Sequence, residues 1–123
     1  MFQRRMFVAG SVLCLLCIGV ATELKARNAD PSKGKSIYME VCKACHGLDG
    51  TGSETMRLHP PAADLTSAAV QEKLDAGLFK AIHDGRKNTA MRAWKYTLSD
   101  EEIHDVIAYV RTLGGGAAAL PKP

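Results

Sequence analysis

Sustained alternation of apolar and polar residues, the mark of a half-buried strand, occurs nowhere in this sequence. That absence argues against a sheet, and against the βαβ setting that thioredoxin-like dithiol chemistry needs. Histidine is scarce and scattered: beyond His46, only His59, His83 and His104 occur, each singly. A structural zinc site wants a second Cys or His pair, and none is present. The apolar stretch of the leader, residues 6–21 (MFVAGSVLCLLCIGVA), runs sixteen residues without a charge. A transmembrane helix wants about 20. Nor does charge of one sign dominate. Three of the sixteen Lys and Arg (Arg4, Arg5, Lys25) and one of the thirteen acids (Glu23) precede residue 27. The chain from residue 27 onward holds thirteen cations against twelve acids, so the basic balance comes from the leader and gives no reason to expect nucleic acid as a partner.

The leader itself reads as a secretory signal peptide over residues 1–26: a basic start, a short apolar centre, then small residues. Cleavage after Ala21 or Ala26 fits, an uncleaved N-terminal anchor being the alternative. Arg4-Arg5 suits the general secretion route better than a twin-arginine signal. Cys14 and Cys17 lie within this apolar stretch and behave as small hydrophobes. The expected product is periplasmic, with one domain at 27–115 and a loose tail at 116–123.

Within that domain the signals are helical. Asp30-Pro31 reads as an N-cap with proline at the first helical position. Ile37, Tyr38, Val41 and Cys42 then recur at helical spacing. Gly47, Gly50 and Gly52 open a loop running through Pro60-Pro61, and a middle helix is predicted around 74–84, ended by Gly85. Residues 86–98 carry little periodicity. Ser99 and Glu102 form a capping box, and Ile103, Val106, Ile107, Val110 and Leu113 form an apolar stripe up to the glycines at 114–116. The fold class is all-α. Helices this short, joined by loops this long, bury little apolar surface for the entropy they lose, so a large apolar cofactor at the centre is expected.

The chemistry is concentrated in Val41-Cys42-Lys43-Ala44-Cys45-His46-Gly47. Two thiols about one helical turn apart can add to the two vinyl groups of a haem, and the imidazole of the next residue can reach the iron. Zinc and a redox dithiol lack their supporting residues. One covalent haem c is therefore expected, held by Cys42 and Cys45 with His46 as proximal ligand. For the sixth position, Met1 and Met6 fall in the leader, Met39 shares the tether helix, and Met56 is only ten residues from His46. Met91, 45 residues downstream in an aperiodic loop, can cross to the other face. His83 is the rival ligand, while His59 and His104 are expected at the surface.

GKSIYMEVCKACHGLDGTG, LHPPAADLT, NTAMRAW and LSDEEIHDVIAYVRTL, in that order, resemble a class I c-type cytochrome over residues 30–113. The resemblance implies the cytochrome c fold: short helices wrapped around one covalently bound haem, with N- and C-terminal helices crossing. Gly34 and Tyr38 would meet Val106 and Tyr109 at that crossing. It further implies a propionate contact from Thr89, packing of Trp94 on the haem, and a carbonyl of Pro60 or Pro61 receiving the His46 ring N–H. The family's Met-Pro-Ala is replaced here by Met91-Arg92-Ala93, which removes a stiffening proline next to the ligand. The implied function is single-electron carriage between a donor dehydrogenase or reductase and an acceptor oxidase or reductase. A monomeric carrier rather than an enzyme is expected, since no nucleophile, base pair or second metal site accompanies the haem. A sensor or weak peroxidase with a labile sixth ligand, and a fixed subunit of a membrane redox complex, are the alternatives.

Overall fold

A computed structural model describes residues 28–52 and 61–115. The leader, with Cys14 and Cys17, lies outside the described residues, as do Met56, His59, Pro60 and the tail at 116–123. Among the described residues five α-helices succeed one another: α1 (Pro31–Ile37), α2 (Lys43–His46), α3 (Ala68–Gln71), α4 (Asp75–His83) and α5 (Asp100–Leu113). Among the described residues there is no strand, and no helix is long and apolar enough to cross a membrane.

The Asp30 carboxylate caps α1 by accepting from the backbone N–H groups of Ser32 and Lys33, with Pro31 occupying N1. A π-helical turn, Tyr38–Cys42, joins α1 to α2. Its extra residue resets the helical register between the face that packs on α5 and the Cys-x-x-Cys-His segment, and nothing in the periodicity announced it. α5 begins at the expected capping box: Ser99 Oγ accepts from Glu102 N–H, and the Glu102 carboxylate accepts from Ser99 N–H.

α1 packs mainly on α5. Gly34 sits where a Cβ would run into the backbone carbonyl of Asp105, so only glycine lets the helices approach this closely. The Asp105 carboxylate in turn accepts from Asp30 N–H at 2.7 Å. Tyr38 and Ile103 are fully buried, Val106 and Ile107 nearly so. Each such side chain contributes roughly 1.5–3 kcal/mol by burial. The Tyr38 and Tyr109 rings meet at 5.1 Å in a tilted arrangement, and Tyr38 Oη donates to Gly47 O at 2.7 Å. That bond ties the crossing to the loop immediately after His46.

α3 was not legible in the sequence. It belongs to a segment that is locked onto α5 by two polar residues. Gln71 Nε2 donates to Leu65 O (2.6 Å) and Val110 O (3.0 Å). Arg111, only 4% exposed, reaches the Asp75 carboxylate through Nε (3.1 Å) and Nη2 (2.6 Å) and donates to Gln71 O and Lys73 O. Val70, Leu78, Ile103 and Ile107 form the remaining core.

Candidate haem site

A cavity of about 540 Å³ lies between α1–α2, α4, α5 and the aperiodic loop at 84–95. Its walls are largely apolar, with Val41, Leu65, Leu78, Ile82, Leu98 and Val106 among them. All six sequence-predicted site residues line it: Cys42, Cys45, His46, Thr89, Met91 and Trp94.

Cys42 and Cys45 are present as thiols rather than a disulfide. Burial, and secondarily the neighbouring Cys45, push the Cys42 thiol up to about 11. His46 Nδ1 lies 3.1 Å from Ala63 O. A carbonyl can only accept, so this contact makes Nδ1 the protonated nitrogen and leaves the lone pair on Nε2. Burial lowers the His46 pKa, with the Ala63 bond pulling weakly the other way, which favours the neutral imidazole that a metal requires.

The partner expected for His46 was a proline carbonyl. Pro61 does line the cavity, but Ala63 makes the bond. The cause is the register of the returning chain. Leu65 N–H donates to Gly50 O at 2.7 Å, and Gly52, at φ +69°, packs so closely on Ala62 that a Cβ would sit 2.8 Å from its carbonyl oxygen. These two contacts bring residue 63 to the imidazole.

The loop carrying Met91 is braced from within. Arg86 N–H donates to Met91 O (2.9 Å), and Met91 N–H donates to Thr89 Oγ1 (3.1 Å). The Thr89 hydroxyl donates to Arg86 O (2.8 Å), within the same loop. Gly85, at φ +72°, lies where a Cβ would come within 2.7 Å of Met91 O and nearer still to Arg92 and Ala93. At the base, Trp94 N–H donates to Ile82 O (3.1 Å) and Lys95 N–H to His83 O (3.3 Å). The Arg92 guanidinium stands 4.3 Å from the Trp94 ring centroid, a cation–π contact that no sequence signal revealed.

The two other histidines among the described residues, His83 and His104, are not on the cavity wall. His83 is absent from the cavity wall; its Nδ1 meets Asp84 at 2.8 Å, and its ring stacks on Phe79. His104 is exposed, as expected, on the other side of that stack. Among the described residues, no three His, Cys, Asp or Glu side chains cluster to hold a bare metal ion.

Residues 29–110 match the model of the family described as cytochrome c oxidase, cbb3-type, subunit III. The chain belongs to this family and is a class I c-type cytochrome. It is 36% identical over 88 residues to the cbb3-type cytochrome c oxidase subunit FixP of Bradyrhizobium diazoefficiens, covering 71% of this chain and 29% of that one. It is 31% identical over 108 residues to the cytochrome c subunit of a quinone alcohol dehydrogenase from Gluconobacter oxydans, covering 81% and 22%. This cytochrome thus spans less than a third of the length of either curated relative. Among solved structures it resembles the KustC0563 c-type cytochrome, with TM-score 0.54 and 27% identity over 65% of this chain and 95% of that one.

A class I c-type cytochrome carries covalently bound haem c. The residues fit that group. Cys42 and Cys45 are the only thiols among the described residues, and both open onto an apolar cavity of suitable size. A neutral imidazole and a thioether line the same space. Sequence reasoning missed Ala63, Gln71, Asp75 and Arg111. Only Arg111 left a trace: it falls one turn after Ile107, on the buried face of α5.

Proposed function

We propose that this cytochrome is a periplasmic electron carrier, passing single electrons between a donor dehydrogenase or reductase and an acceptor oxidase or reductase, without substrate turnover. The observation that carries the reading is that Cys42, Cys45, His46 and Met91 line one cavity, although Met91 stands 45 residues from His46. Cys42 and Cys45 would form the thioethers, His46 Nε2 the proximal iron bond and Met91 Sδ the distal one. Haem c, when bound, supplies a one-electron Fe(III)/Fe(II) couple. The protein's part is to keep that couple closed and unchanging. The Ala63 carbonyl holds the His46 tautomer and raises its basicity. The hydrogen bonds among Arg86, Thr89 and Met91 keep the thioether in one place, and the apolar walls keep water out. Thr89 serves as a brace for the loop in this reading, and Trp94 as a wall.

The test is the optical spectrum of ferric protein made in an exporting host with haem-attachment machinery, beside Met91→Ala. The weak red-edge band of a Met–iron bond is expected in the wild type and absent in the variant. A wild type lacking the band, and binding carbon monoxide readily when reduced, would instead point to a sensor or peroxidase. A fixed subunit of a membrane redox complex is a second reading, favoured by the relatives' being oxidase and dehydrogenase subunits. An intact N-terminus in the mature protein would support it, and cleavage after Ala21 or Ala26 would oppose it.

A further inference from the structure

The near-neutral balance of the domain hides an uneven distribution. Residues 73–95 carry Lys73, Lys80, Arg86, Lys87, Arg92 and Lys95 against Asp75 and Asp84. The other described residues hold four cations against nine acids. Of the two acids in the basic segment, Asp75 is turned inward onto buried Arg111, so its charge is neutralised from within. Asp84 is shared among Lys80 (2.9 Å), Lys95 (3.2 Å) and His83 (2.8 Å). Asp100 of α5 also approaches His83, at 3.8 Å. The segment as a whole is net positive.

The segment also lines a second, shallower groove of about 490 Å³. Lys73, Lys80 and Arg86 rim it, Gly77 and Ala81 form part of its floor, and Leu74, 57% exposed, supplies an apolar contact. No acid lines it. Lys73, Ala81 and Arg86 line the haem cavity as well, so the groove and the cavity share a wall.

We infer that this groove is the docking surface for the redox partner, and that the partner presents an acidic face with an apolar side chain at its centre. The inference rests on the electron-carrier reading above. Opposite charge steers the encounter and orients it, while the small apolar floor lets the pair separate quickly. A partner seated here lies against the wall of the haem cavity itself.

The experiment is voltammetry of the holoprotein on gold carrying carboxylate-terminated or ammonium-terminated alkanethiol monolayers, with the midpoint potential measured independently by mediated titration in solution. Wild type should exchange electrons at least about tenfold faster on carboxylate at low salt, an advantage that screening removes at about 0.5 M. Lys73→Glu/Lys80→Glu should lose about tenfold on carboxylate, whereas Lys33→Glu/Lys35→Glu, with the same net charge but sited on α1, should stay within about twofold. Lys73→Gln/Lys80→Gln should fall between, with an unchanged ferric spectrum certifying the fold. Equal losses in both charge-reversal pairs, or a wild-type preference for ammonium, would overturn the assignment. Pelleting with phosphatidylglycerol vesicles at about 0.1 M salt, lost in Lys73→Glu/Lys80→Glu, would reassign the groove to an anionic membrane surface and overturn the protein partner. A protein with no reversible midpoint even in mediated titration would sink the carrier reading itself rather than the docking surface.

Discussion

The α1–α5 crossing and the 84–95 loop both wall the haem cavity, yet they are held together by different means. The crossing relies on buried side chains and a close helix approach: Tyr38, Ile103, Val106 and Ile107 have almost no exposure, and Gly34 abuts the Asp105 backbone. The loop has no fully buried side chain at all. Its shape comes from backbone bonds at residues 86, 91, 94 and 95, from one hydroxyl, and from Gly85 at positive φ. Stability therefore resides in the crossing. The loop has little of its own, and what it holds is the position of Met91. Regions with few apolar contacts open first, so the side of the cavity that Met91 lines should loosen well below global unfolding.

Two glycines offer the sharpest way to break this contrast. Gly34→Val places a side chain against backbone that cannot yield, and should cost about 3 kcal/mol or more. Guanidinium melts of the holoprotein should show a large fall in midpoint while the ferric Met–iron band survives in whatever remains folded. Gly85→Ala forces an alanine to φ +72° against the Met91 carbonyl. The left-handed conformation alone costs about 1–2 kcal/mol, and the clash must be relieved by moving the loop. Here the band should weaken in the folded state, with a smaller shift of the melt. Equal loss of the band in both variants would mean that the two regions do not act separately.

Next in size is Arg111→Ala. It strands the Asp75 carboxylate and the carbonyls of Gln71 and Lys73 at a site where the arginine is 4% exposed. Removing one partner of a buried pair costs about 3 kcal/mol. For a domain of this size that lowers Tm by roughly 15 °C. The residue belongs to the frame, so the redox spectrum of the folded fraction should not change.

Which of these features the sequence discloses depends on how local they are. The capping box and stripe of α5, the Asp30-Pro31 start and the Cys-x-x-Cys-His spacing are each written in a few neighbouring residues, and all reappear at their places. The presence of Met91 on the cavity wall was reachable by elimination, because the other methionines sat in unsuitable segments. Ala63 was not, since its place opposite His46 depends on how Gly50 and Gly52 set the register of a chain returning from a distant loop. Arg111 has its partners 36 to 40 residues away, and only those partners at 71–75 explain its burial. The positive segment at 73–95 was hidden for a simpler reason: whole-domain counting cancels it against the acids of α5 and α1–α2.

Arg92→Ala probes the loop more gently. The family's proline would stiffen this position through the backbone; in this chain the guanidinium stands over the Trp94 ring, a contact between side chains. Such a contact is worth about 0.5–1 kcal/mol at an exposed site, too little to move the melt far. It should still raise the rate at which carbon monoxide enters the reduced protein by a fewfold. Arg92→Pro should restore slow entry or improve on it, and Arg92→Lys should recover part. If all three match wild type, the stack does not hold the ligand loop.

The smallest effect belongs to Asp84, at the base of the same loop. Its surface carboxylate is held below the ordinary value of 3.8 by hydrogen bonds from Lys80, His83 and Lys95, in that order. A depressed folded value means that the carboxylate contributes stability above its unfolded pKa, and that this contribution drains away as pH falls through the folded value. The Tm difference between wild type and Asp84→Asn should accordingly be flat through neutral pH, begin to close as pH falls past about 4, and vanish only in strong acid. Exposure makes the difference modest and salt-sensitive, so about 0.5 M salt should shrink it at every pH. Because Lys95 joins the far end of the loop to Asp84, the thermal loss of the Met–iron band should follow the same pH course more steeply than the global melt does. A band that melts in step with the whole protein at all pH values would show that the loop is anchored by the frame after all.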